Sequence, residues 1–164
     1  MISFEDLTLE EQLDWLRTAS RREINEHARL FNWDGRPEVF LKEVTLREDC
    51  NLGTALTIYA MGLPSEHDQL NQNGQFDDML AFLGDLRDRI NSGHYRNDPA
   101  DPLTERDRVE WHVDGGMLVK DAPKLPWAIS TEVYEQTFEC SAETAEAKKN
   151  TVSFLARLFG RRKD

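Results

Sequence analysis

The sequence predicts a mainly α-helical protein, a single-domain bundle of about six to seven helices. Three observations predict it: paired capping signals near the start, an uncharged apolar run at 52–61, and a long amphipathic stretch after residue 76. With 164 residues, 39% of them hydrophobic, the chain can bury one core without disulfides or metals. We therefore treat residues 1–164 as one helical domain.

Two capping boxes open the first two predicted helices. Thr8 precedes Glu11 by three residues, and Ser20 precedes Glu23 in the same way, so each hydroxyl and glutamate can bind the other's backbone N–H. The first helix is expected from about residue 9 to residue 19. Apolar residues at helical spacing line the second, namely Ile24, Ala28 and Phe31.

A clear start signal, the N-cap residue Asn51, lies between the third and fourth predicted helices. Pro37 suits the first turn of the third helix, which we expect to end near Asp49. Asn51 is a good N-cap for a fourth helix over 52–61 that is apolar on most sides. We expect Gly62 to end it as a left-handed residue, with Pro64 as a stop. This helix is the predicted centre of the core.

The second half of the chain begins with a polar stretch, 65–75, which we expect to be a loop. A long fifth helix should follow, ended by Gly93 and carrying one apolar face formed by Phe76, Met79, Leu80, Leu83, Leu86 and Ile90. Residues 108–119 suit a short β-hairpin, although a helical turn competes. A short helix is expected around 131–138 and a C-terminal helix over 142–159.

The charge balance excludes some partners. Lys and Arg number 20 against 31 Asp and Glu, a net charge of −11, which disfavours nucleic acid and favours a basic partner and a monomeric free protein. Residues 148–164 hold six of the bases and one of the acids, so residues 1–147 carry a net charge of −16.

No residue pattern indicates catalysis, a metal or a cofactor. Cys50 and Cys140 are far apart in sequence, which suits free thiols in a reducing compartment. The histidines lack the spacing of metal ligands, and Gly53-Thr54 lacks the spacing of a phosphate-binding loop. The acidic start does not resemble a signal peptide, and no apolar run approaches the ~20 residues of a membrane span. We expect no cofactor, no metal and no membrane association, and we place the protein in the cytoplasm.

Four residues near the centre could be structural or could form a ligand site. We interpret Trp33 as packed between the first two helices and the fourth, with Asp34 capping its turn. Cys50 lacks an activating base in the sequence, so we expect a buried structural thiol, and we expect Asn51 to act as a cap. The alternative is a site formed by Trp33, Asp34 and Cys50.

An acidic stripe on the fifth helix is the candidate partner-binding surface. At about 100° per residue, the apolar face lies opposite four acids, Asp77, Asp78, Asp85 and Asp88. Acids in the flanking stretches could widen the stripe, namely Glu66, Asp68, Asp98 and Asp101. Such a stripe is more often only a solvated surface.

Three segments carry a resemblance to a known family, namely Asn32-Trp33-Asp34-Gly35, Cys50-Asn51-Leu52-Gly53-Thr54-Ala55-Leu56 and Ile58-Tyr59. They resemble the hallmark of a bacterial family, domain of unknown function four-two-seven-four, and residues 86–95 are similar to a later family segment. The resemblance covers roughly 30–95. This sequence differs from the family pattern in having one acid before Gly35, and Asn51 where Asp is usual. The resemblance implies a small helical cytosolic domain of a kind often encountered beside secreted toxins, with no settled activity.

Three functions follow from these observations as hypotheses. The first is a non-enzymatic protein-binding module, an immunity or antitoxin-like protein that binds and neutralises a basic toxin. The second is a small enzyme or ligand-binding protein that uses the Trp33, Asp34 and Cys50 region. The third is a structural subunit of a bacterial assembly, which would expose apolar surface for self-association.

Overall fold

A computed structural model describes residues 4–31, 33, 37–98, 103, 126–134 and 136. The prediction of a mainly α-helical protein is confirmed. After a short 3₁₀ turn at Phe4–Asp6, the described residues form six α-helices: α1 Leu9–Thr18, α2 Arg21–Arg29, α3 Pro37–Leu46, α4 Leu52–Met61, α5 Pro64–Leu70 and α6 Asp77–Asn91. Among these residues the only β-type pairing is an isolated parallel bridge between Asn51 and Arg96.

The two predicted capping boxes are present at the starts of α1 and α2. Glu11 accepts the Thr8 N–H at 2.8 Å, and Glu23 accepts the Ser20 N–H at 2.9 Å. These bonds stabilise the charged carboxylates. The pKa of Glu11 is lowered chiefly by the Thr8 backbone N–H, and the pKa of Glu23 chiefly by the Ser20 hydroxyl.

Helix α4 is the centre of the core, as predicted. All of its residues except Met61 are buried. It packs against α2 and α6, while α3 packs against α1, α2 and α6. Because α4 has neighbours on most sides, a helix with no polar face is stable here.

The C-terminal end of α4 differs from the prediction. Gly62 is not left-handed, with φ −71°, and the left-handed residue is Leu63 at φ 42°. Gly62 is required for close packing instead. A Cβ on Gly62 would lie 2.6 Å from Cδ2 of Leu83 and 2.9 Å from Cη2 of Trp33, both well inside normal carbon–carbon contact.

Helix α5 occupies part of the stretch that was expected to be a loop, so that expectation is wrong for 65–70. Pro64 begins a new helix in its first turn, where its fixed φ and missing N–H are tolerated. His67 then contacts the end of α4, with Nδ1 3.0 Å from the Gly62 carbonyl and 3.2 Å from the Leu63 carbonyl. Its ring also contacts Phe76 edge-on.

The third helix ends earlier than expected, at Leu46 rather than near Asp49. Just after this end, the Arg47 guanidinium binds Asp49 through Nε at 2.8 Å and Nη2 at 2.9 Å. Its Nη1 also donates to the carbonyl of Leu16 at 2.9 Å. The side chain therefore ties the end of α3 to α1.

Helix α6 is the long fifth helix of the prediction. It ends as predicted, with Gly93 in the left-handed conformation at φ 72°. The chain then returns to the start of α4, where the Leu52 N–H donates to the Arg96 carbonyl at 2.9 Å. The buried Tyr95 hydroxyl donates to the Thr45 carbonyl at 3.0 Å. These bonds fix the path of residues 93–98 over α3 and α4.

The remaining predicted elements fall largely on residues that the structure does not describe. Residues 131–134 and 136 are helical, in agreement with part of the short helix predicted at 131–138. The hairpin at 108–119 and the C-terminal helix at 142–159 lie outside the described residues.

Candidate functional site

Four aspartates lie exposed on α6, on the side away from the core. We call them the α6 acidic face: Asp77, Asp78, Asp85 and Asp88. The period of the helix places them within an arc of about 100°. The buried side of α6 is formed by Met79, Leu80, Phe82, Leu83, Leu86 and Ile90. None of the four carboxylates therefore contributes to the core.

Two members of this face already have partners in the protein. Asp77 accepts a hydrogen bond from the Asn71 amide at 2.7 Å, and Asn71 accepts the Phe76 N–H at 3.0 Å. Asp77 thus helps to fix the start of α6. Asp88 forms an ion pair with Arg87 at 2.7 Å, although 69% of its side chain is exposed.

The other two members keep their charge uncompensated. Within the described part of the chain, no ion pair or hydrogen bond engages the side chain of Asp78 or Asp85. They lie seven residues apart, about 10 Å along the helix axis. Both are exposed. Asp78 and Asp85 are therefore the α6 carboxylates available to pair with a cation of a partner.

The flanking acids of the prediction do not all lie near this face. Glu66 and Asp68 are exposed on α5, next to α6, and Asp68 accepts a hydrogen bond from Trp127. Asp98 is partly buried and pairs with Arg21, at the start of α2, at 2.6 Å. Asp101 lies outside the described residues.

Cys50 and Asn51 lie at the start of α4. Cys50 is 7% exposed, and burial, assisted by the neighbouring Asp49, raises the pKa of its thiol to about 12. A thiol with this pKa is protonated at neutral pH and is a poor nucleophile. The buried Asn51 is the N-cap of α4, because its Oδ1 accepts the Thr54 N–H at 2.7 Å.

Trp33 lies at the other end of the same helix, with its ring against Gly62. Since α4 has ten residues, the two ends are about 15 Å apart. The structure therefore does not bring Trp33 and Cys50 together in one pocket, and Asp34 lies outside the described residues. In the part of the chain that is described, no group of three or more His, Cys, Asp or Glu side chains is placed to hold a metal ion.

A further feature, which the sequence did not indicate, is the binding of residues 126–130 along α6. We call these residues the Trp127 segment. The Trp127 ring lies beside Gly84 and Arg87, and its indole N–H donates to Asp68 at 3.0 Å. Pro123 and Pro126 indicate only a loop before these residues, and no local signal predicts contacts with residues roughly 40 to 70 positions away.

A comparison with protein-family models, curated proteins and solved structures finds no match. The resemblance carried by residues 30–95 accordingly stays a prediction. Among the described helices, none combines the length and the apolar character that crossing a bilayer requires.

Proposed function

We propose that this protein is a non-enzymatic protein-binding module whose α6 acidic face binds a basic partner. In biological terms, we propose an immunity or antitoxin-like protein of the bacterial cytoplasm that neutralises a cognate toxin by covering its basic surface. The charge of the chain and the α6 acidic face support the basic partner. The resemblance of residues 30–95 supplies the association with toxins.

The observation that carries the proposal is the uncompensated pair Asp78 and Asp85 on an exposed, regular helix. A rigid helix presents both charges at a fixed spacing, so a partner with two cations about 10 Å apart could pair with both. The net charge of the whole chain, −11, would also accelerate association with such a partner, since complementary electrostatic fields raise association rates.

The enzyme alternative has less support from the geometry. This alternative uses Trp33, Asp34 and Cys50. Trp33 and Cys50, which the structure describes, lie at opposite ends of α4. The Cys50 thiol is also buried with a raised pKa. A site that needed an accessible thiolate beside an indole would require another arrangement.

The test begins with the tagged full chain as bait in a lysate of its native bacterium, followed by purification of the captured protein. Association kinetics with that partner are then measured for Asp78→Lys/Asp85→Lys. The control is Glu43→Lys/Glu48→Lys, which changes the net charge equally at two exposed acids of the α3 region.

We expect the α6 variant to associate at least roughly tenfold more slowly at low salt, and with a weaker salt dependence, than the control. Neither variant should lose stability, because all four side chains are exposed. Equal rates for the two variants would refute the α6 acidic face as the interface. A captured partner without a basic surface would refute the proposed partner class.

A further inference from the structure

The Trp127 segment is held through its backbone as well as its side chains. The side-chain amide of Asn91 donates from Nδ2 to the Ala128 carbonyl at 3.1 Å and accepts the Ser130 N–H at Oδ1 at 2.7 Å. These two backbone groups flank Ile129. One side-chain amide thus supplies both a donor and an acceptor to the backbone of the segment.

Other helices complete the contact. The Tyr59 hydroxyl of α4 donates to the Trp127 carbonyl at 2.7 Å. Asp68 of α5 accepts the indole N–H, and the Arg87 guanidinium of α6 lies 5.8 Å from the indole ring centre. The indole ring also lies beside Gly84, where a Cβ would stand 4.0 Å from the indole Cζ3.

Two side chains of the segment point into the protein. Ile129 is 2% exposed and belongs to the core, and Trp127 is partly buried against it. The two residues are two positions apart, where a turn at 126–127 continues into the irregular stretch 128–130. The surface therefore recognises a tryptophan, an aliphatic residue two positions later, and the backbone around them.

We propose that this surface is a peptide-binding groove, which the chain fills with its own Trp127 segment and which accepts a Trp-x-Ile peptide of a partner protein in its place. We define the groove by Tyr59, Asp68, Gly84, Arg87 and Asn91. The inference does not rest on the proposed function, because the groove is defined without Asp78 or Asp85, although Asp88 of the α6 acidic face pairs with Arg87 of the groove. Backbone recognition by side chains is transferable, since a peptide with these two anchors in the same local conformation offers the same groups.

The covalently attached segment has an effective concentration on the order of mM, so a free peptide competes poorly with it in the wild-type protein. Removing the Trp127 indole from the chain should weaken that competition without altering any groove residue. A difference in peptide binding between the two proteins is therefore the signature of a groove filled by its own chain.

The probe is a fluorescein-labelled peptide with the sequence of residues 124–136, Lys-Leu-Pro-Trp-Ala-Ile-Ser-Thr-Glu-Val-Tyr-Glu-Gln, followed by fluorescence anisotropy. We expect full-length Trp127→Ala to bind it at least roughly tenfold more tightly than wild type does. The same peptide with its Trp127→Ala change should bind this variant at least tenfold more weakly, and adding Asn91→Ala to the protein should remove binding.

Equal binding by wild type and Trp127→Ala, or equal binding of the two peptides, would overturn the proposal. If circular dichroism shows Trp127→Ala to be unfolded, Trp127→Phe replaces it. This variant keeps an aromatic ring but loses the donor to Asp68, and it should still bind the peptide about threefold more tightly than wild type. A wild-type dimer that Asn91→Ala dissociates would place a second copy in the groove and overturn the self-filled arrangement.

Discussion

Replacing Gly62 by Ala should destabilise the protein by introducing atoms where Leu83 and Trp33 already lie. The added Cβ would stand 2.6 and 2.9 Å from the two Leu83 methyl carbons and 2.9 Å from the Trp33 ring, against about 3.5–4.0 Å for normal contact. Overpacking of this kind costs about 1–3 kcal/mol. The lower entropy of unfolded Ala returns about 0.4–1 kcal/mol, because the Gly62 backbone is already helical. We expect a net loss of about 1–2 kcal/mol and a fall in Tm of roughly 2–8 °C.

Gly84→Ala is the matched control, because the same methyl group there meets nothing closer than 4.0 Å. Gly84 lies inside α6, where Ala is favoured over Gly by about 1 kcal/mol. The two substitutions should thus move the urea midpoint in opposite directions, measured by circular dichroism. A Gly62→Ala protein as stable as wild type would mean that Trp33 and Leu83 do not pack tightly against the end of α4, and the argument for Gly62 would fail.

Three further predictions concern helix starts and the buried thiol. Asn51→Ala should cost about 1 kcal/mol of unfolding free energy by removing the α4 cap, and Asn51→Asp, which keeps an acceptor, should cost less in the same urea titration. Glu11→Gln/Glu23→Gln should lower the urea midpoint at pH 7. Because the folded pKa of each glutamate lies below the ordinary 4.5, that difference should shrink as the pH falls below about 5 and vanish once the pH is below the lowered folded pKa values. Cys50 should be alkylated by iodoacetamide only as fast as the protein opens, and peptide-resolved mass spectrometry that finds rapid native labelling would contradict its burial.

The features that the sequence predicted correctly are those set by local chemistry. The capping boxes at Thr8 and Ser20 and the left-handed Gly93 each need only residues within one or two turns. The buried character of α4 followed from its composition alone. These features can be predicted because they do not depend on contacts between distant parts of the chain.

The errors arose where tertiary packing changed the meaning of a residue. Gly62 stands where a helix-ending glycine is expected, directly after the last residue of α4. Its lack of a side chain is explained instead by the packing of Leu83 and Trp33 against it. The left-handed residue is Leu63. The sequence pattern predicts Pro64 to be a stop, although proline also starts helices, as it does here. The local residues permit both outcomes, and only the position of α5 against α6 decides between them.

The candidate surfaces divide in the same way. The exposure of the α6 acidic face could be predicted from helical periodicity, but the pairing of Asp88 with Arg87 and of Asp98 with Arg21 could not. The groove for the Trp127 segment could not be predicted either. It combines Tyr59, Asn91 and Trp127, whose proximity depends on the complete fold.

The burial of α4 also bears on the behaviour of the chain when it is partly unfolded. Its ten residues carry no charge and include threonine, isoleucine and tyrosine, a composition that favours cross-β aggregation when it is exposed. Glu48 and Asp49 precede this segment, and Glu66 and Asp68 follow it shortly after Pro64. At neutral pH these charges repel the same segment of a second molecule. The acids on either side of α4 therefore act as gatekeepers that keep the folding chain from associating with its copies, a role that requires no partner.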